Sequence, residues 1–171
     1  MPCYSLTEIE AHTRKAARGA GYHWGEAEEM GKAARWLCAA GFDGAAEVLK
    51  LLQTVDRQVD DYRPNADLFN DKAWQKSCGL SLGCALADRG IEAFTEYTTA
   101  PNILNPLITY GIICNAHPGA NRTALAELLG ISIQTASPMT QVPTQIWTAL
   151  NTFVMRTYVP ATEESRLNGA G

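Results

Sequence analysis

Long apolar runs are missing from this sequence. No stretch approaches the roughly 20 residues that a helix needs to cross a bilayer, so a membrane-spanning reading is excluded and no membrane partner is expected. Basic runs are missing too. Fourteen Lys and Arg stand against 18 Asp and Glu, a formal charge of −4, and recognition of nucleic acid through its phosphates needs a positive stripe that this order of residues does not supply. The start, Met1-Pro2-Cys3-Tyr4-Ser5, reaches an acid at Glu8 without a basic-then-apolar export signal. A cytoplasmic location is the expectation. Cysteine is sparse, odd in number and unevenly spaced, at positions 3, 38, 78, 84 and 114, which favours free thiols over a disulfide framework. The sequon Asn121-Arg122-Thr123 is accordingly expected to carry no glycan. Also absent are Gly-x-Ser-x-Gly, His-Glu-x-x-His and a P-loop lysine. Gly19-x-Gly21-x-x-x-Gly25 has the wrong spacing for a dinucleotide loop and follows a helix where a strand is required.

What is present describes an ordered domain. The 171 residues are 46% hydrophobic and 19% charged, near the globular average and far from the composition of disordered chains. One domain over residues 1–171 is expected, with a helical part at 5–62, a mixed α/β part at 78–159 and a flexible tail at 160–171. Ser5 and Glu8 have capping-box spacing and open a helix over residues 6–18, stopped by Gly19-Ala20-Gly21. A second helix, residues 25–40, places Ala27, Met30, Ala34, Leu37 and Cys38 on one face and ends at Gly41. A third runs from Gly44 to about Val59 on a ridge of Val48, Leu52, Val55 and Val59. Residues 64–77 read as an irregular surface loop, and residues 80–89 as a short helix closed by Gly90.

Strands are expected at residues 91–98, 107–114 and 131–135. The middle one, Leu107-Ile-Thr-Tyr-Gly-Ile-Ile-Cys114, is rich in β-branched and aromatic residues, with a buried helix as the alternative. Helices over residues 123–129 and from Pro143 to before Val159 complete the reading. The fold class expected is α+β, a three-helix N-terminal layer packed on a small mixed β-sheet with a C-terminal helix.

The most chemically suggestive segment is 115–122. A strand, a polar loop and a helix start in that order would aim free N–H groups at an anion. His117, Gly119, Asn121 and Arg122 are its ligand-binding candidates, joined by Asp88 at the end of the fourth helix and by Arg156. His-Pro-Gly is equally an ordinary turn and Asn121 an ordinary helix cap. Cys78, Cys84, Cys114 and His117 are zinc ligands by type, but the five-residue gap between the first two exceeds the usual spacing, so no metal is expected.

At Ser5-Leu-Thr-Glu-Ile-Glu, Lys15-Ala-Ala-Arg-Gly-Ala-Gly, Trp24-Gly-Glu-Ala-Glu-Glu, Ala33-Ala-Arg-Trp-Leu, Leu86-Ala-Asp-Arg-Gly and Arg156-Thr-Tyr-Val-Pro-Ala, the chain resembles the bacterial family catalogued as domain of unknown function 3726. That resemblance implies no activity. Residues 5 to about 52 are also similar to the N-terminal helices of the type-2 malate and lactate dehydrogenase family, whose Asp-Ser-His-Gly motif falls near Asp43-Gly44-Ala45-Ala46. No histidine stands there, so that acid–base role does not carry over. Three functions follow as expectations: a module binding a small anionic metabolite; an enzyme on small metabolites with His117 as acid or base, Asp88 orienting it and Arg122 or Arg156 holding the substrate; or a homo-oligomeric assembly subunit built on the Ala-rich helices. No cofactor is identified.

Overall fold

The Ser5 hydroxyl sets the first helix. In the computed structural model, which describes residues 1–63, 77–89, 103–133 and 137–158, Ser5 Oγ accepts the Glu8 amide at 3.1 Å and the Glu8 carboxylate accepts the Ser5 amide at 2.8 Å. These bonds satisfy two N–H groups that a helix start otherwise leaves orphaned, and they hold the Glu8 carboxyl below its ordinary range. Helix α1 (Leu6–Ala20) ends on Gly21, whose φ of 114° lets its N–H turn back to the Ala17 and Arg18 carbonyls. Helix α2 (Trp24–Ala39) follows after three residues. Asp43 caps α3 (Gly44–Val55) by accepting the Ala46 amide at 3.0 Å, and a 3-10 turn, Val59–Tyr62, lies beyond it.

Four more helices complete the described residues: α4 (Gly79–Arg89), α5 (Pro106–Ala116), α6 (Arg122–Leu129) and α7 (Thr144–Val154), the last running into a 3-10 turn, Met155–Thr157. Helix α1 packs on α2, α3 and α7, while α5 packs on α2, α3, α4 and α6. The inner face of α1 is Ile9, Thr13, Ala16, Ala17 and Ala20, a stripe of mostly small side chains that lets neighbouring backbones come close. A Cβ on Gly31 of α2 would stand 2.8 Å from the Glu10 carbonyl oxygen of α1, and one on Gly19 of α1 would overlap the Phe153 carbonyl oxygen of α7 at 1.8 Å. Real Cβ atoms do not approach oxygen so closely. Glycine weakens a helix interior by roughly 0.5–1 kcal/mol relative to alanine, and at Gly19 the gain is the contact itself.

The expected α+β class is corrected to all-α. Among the described residues there is no strand, and extended pairing is limited to two isolated bridges, Cys3 with Gln141 and Cys78 with Leu104. The predicted strand at 107–114 lies within α5, where Ile108, Thr109, Tyr110, Gly111, Ile112, Ile113 and Cys114 are all buried. A helix enclosed on every side has no polar face, so its sequence carries no 3.6-residue period and cannot be told from a buried strand by pattern. The deciding signal was Pro106, which occupies the first turn of α5, where a missing N–H costs nothing. Residues 131–133 are irregular; the rest of that predicted strand, the strand at 91–98 and all but one residue of the loop at 64–77 lie outside the described residues, as does the C-terminal tail.

The N-terminal residues are fastened across α7 by rings. Tyr4 stacks on Trp147 with centroids 3.7 Å apart, and His12 of α1 stacks on the same indole at 3.9 Å, with its Nε2 3.4 Å from the Trp147 carbonyl oxygen. The Tyr4 amide also donates to the Thr140 carbonyl and the Val142 amide to that of Pro2. Burial beside Trp147, with the Lys15 charge near, pushes the His12 pKa down despite the carbonyl contact.

Two outcomes are expected. Gly19→Ala should lower stability by about 1–3 kcal/mol, because two backbones must part, whereas Gly25→Ala, with open space around it, should be neutral or slightly stabilising; equal urea midpoints for the two variants would contradict the close approach. For His12, the folded protein holds a neutral ring where the unfolded chain, with a pKa near 6.5, takes up a proton. Unfolding therefore binds protons in that window. Stability should fall as pH is lowered through 6.5 toward the depressed folded value, and urea melts of His12→Gln should lose that slope.

Candidate functional site

Arg14, Lys15 and Arg18 share little more than one turn of α1, on the side away from buried Thr13, Ala16 and Ala17. The Gly19 contact draws the end of α7 against this turn and carries Arg156 and Thr157 with it. Trp24, the first residue of α2, closes the arrangement beyond the Gly21 turn. These side chains and Gly19 line one open cleft of about 480 Å³, and the described residues around it include four cations and no carboxylate. On a chain of net charge −4, that is a local inversion of sign.

The four cations are not equivalent. Arg156 is held by Asp56, Nη2 to Oδ2 at 3.0 Å, in a two-pronged pair that keeps the Asp56 carboxyl below its usual range, and its guanidinium lies 4.6 Å from the Phe153 ring centroid. Arg18 donates to the Tyr22 carbonyl and sits 4.7 Å over the Trp24 ring. Arg14 and Lys15 form no ion pair among the described residues. Among the described residues no carboxylate pairs with either of them, and Trp24, on the same cleft, is 67% exposed. An exposed tryptophan next to unpaired cations is a surface equipped for something other than packing. Chemically, the cleft can hold an anion by several N–H donors at once.

The sequence-predicted residues fall in two places. Part-buried His117 ends α5, and its Nε2 lies 3.1 Å from the Ala87 carbonyl oxygen, joining the ends of α5 and α4; Asp88 is the next, exposed residue of α4. Asn121 caps α6 by accepting the Ala124 amide at 3.1 Å, Gly119 sits in an open turn, and the Arg122 guanidinium lies 5.1 Å over Trp36 of α2. The segment 115–122 thus joins two helices. The strand expected to lead into it is the buried helix α5. Arg156 stands apart from it, on the basic cleft. Arg14, Lys15, Arg18 and Trp24 are not among the sequence-predicted site residues; three cations within five residues of a predicted helix are the signal that points to them.

A second polar cluster fixes α4. Glu26 of α2 accepts from Arg63 Nη2 at 2.7 Å and from Ser81 Oγ at 3.2 Å, while the Cys78 sulfur lies 3.4 Å from both Tyr22 Oη and Ser81 Oγ. Burial pushes the Tyr22 phenol far above its ordinary value and the Cys84 thiol up to about 12; Cys38 and Cys114 are raised by the same cause. Such thiols stay protonated and unreactive at neutral pH. Among the described residues, no three His, Cys, Asp or Glu side chains are grouped as a metal site. Nor is any helix there long and apolar enough to cross a membrane.

Fold and cleft together define an all-helical protein with a basic groove where α1 meets α7. Residues 4–81 match the model of the family described as protein of unknown function DUF3726; the matched segment carries all of α1 and Trp24. No curated protein and no solved structure matches the chain.

Proposed function

We propose that this protein binds a small anionic metabolite in the cleft between α1 and the end of α7. The observation that carries this reading is the meeting of Arg14, Lys15, Arg18 and Arg156 around one cavity with no carboxylate among its described lining. Four positive groups around one open cleft repel each other weakly through water and salt but together attract an anion, and among the described residues Asp56 pairs with Arg156 alone. The lining groups bind and orient; among the described lining residues the only hydroxyl is that of Thr157, so the reading is of a binding module more than of an enzyme. A reducing, cytoplasmic setting suits its five free cysteines.

Exposed charge pairs contribute roughly 0.2–1 kcal/mol each. Removing two should therefore weaken binding by about 1.4 kcal/mol, close to tenfold. Calorimetric titration with inorganic pyrophosphate is expected to give a dissociation constant of order 0.1–1 mM at low salt, weakening as salt rises. The Arg14→Gln/Lys15→Gln double variant should bind about tenfold more weakly, while His117→Gln and Arg122→Gln should bind as the wild type does. No heat of binding, or an unchanged affinity in the double variant, would contradict the assignment.

A further inference from the structure

We infer that the ligand of this cleft carries a planar heteroaromatic ring attached to its phosphate, the chemistry of a nucleoside monophosphate. The inference rests on the anion-binding reading above and goes further, because charge alone explains the cations and leaves Trp24 unexplained. Tryptophan is highly buried on average, yet Trp24 is 67% exposed and lines the cleft together with Arg14 and Lys15. It is not spare core. Its ring is already engaged on one side, where the Arg18 guanidinium sits 4.7 Å from the centroid and is itself steadied by its bond to the Tyr22 carbonyl. A guanidinium over an indole draws on the negative face of the ring and fixes its plane.

What remains is an exposed aromatic surface held in orientation by α2 and Arg18, on the same cleft as two cations that have no ion-pair partner among the described residues. That pairing of a stacking platform with a positive rim is how proteins hold single nucleotides: the face of any base stacks on an aromatic side chain, while cations take the phosphate. The cavity, about 480 Å³, lies within the range of small-molecule sites and exceeds what a bare phosphate fills. Arg156, tied to Asp56, supplies a fixed edge for the phosphate end, whereas Arg14 and Lys15, with no ion pair among the described residues, supply the cations that close on it.

The test compares three probes by calorimetry on the full chain: AMP, ribose 5-phosphate and adenosine. AMP is expected to bind about tenfold or more tightly than ribose 5-phosphate, and adenosine more weakly than AMP. Trp24→Ala should remove AMP's advantage and leave the affinity for ribose 5-phosphate unchanged, with Trp24→Tyr retaining part of the advantage; circular dichroism confirms that both variants fold. Equal affinities for AMP and ribose 5-phosphate in the wild type would overturn the ring inference while leaving the anion reading standing. Failure of AMP, ribose 5-phosphate and pyrophosphate alike would overturn both.

Discussion

How near α7 comes to α1 governs the shape of everything around it. At Gly19 the two backbones meet with no room for a methyl group, and from that contact the last turn of α7 is aimed, so that Arg156 and Thr157 arrive opposite Arg14, Lys15 and Arg18. A larger residue at position 19 would tilt α7 outward and separate the two walls of the cleft before it cost any charge or hydrogen bond. The same logic runs through the α1–α2 contact at Gly31. Small side chains on α1 shorten the distance between helix axes, and short distances place long cationic side chains from different helices within reach of one ligand. Packing therefore sets the geometry of the cleft.

A second constraint acts from the far side of α2. Helix α5 is enclosed by α2, α3, α4 and α6, and its isoleucines at 108, 112 and 113 are fully buried, each a contribution of roughly 1.5–3 kcal/mol. Glu26 of α2, Arg63 and Ser81 then lock α4 against α2 through charge-assisted bonds at the margin of this core. Helix α2 is thus held from both sides. Its first residue, Trp24, projects from a rigid element, which is what a stacking surface requires.

Much of this was legible. Ser5 with Glu8 marks the start of α1, Gly21 its end and Gly130 the end of α6, because capping chemistry is local and shows in spacing. Helix α5 was not legible as a helix, since enclosure removes the polar face that would have shown its period, and Pro106 alone marked it. Gly19 reads in sequence as part of a helix stop; only the tertiary contact with Phe153 shows that it lies inside the helix as a docking point. For the site, the cations of α1 were visible as a cluster, but the arrival of Arg156 from 138 residues beyond Arg18 is a property of the fold. The weight given to His117 and Arg122 followed from a strand that proved to be α5, so that segment's chemistry was read in the wrong structural context.

Nitrogen-15 chemical-shift mapping with pyrophosphate tests anion binding between α1 and α7 residue by residue. Saturable shifts are expected at the amides of Arg14, Lys15, Arg18 and Thr157, at the Trp24 indole N–H and at the Arg156 guanidinium. Shifts centred on His117 to Arg122, or spread evenly over exposed basic residues, would contradict it.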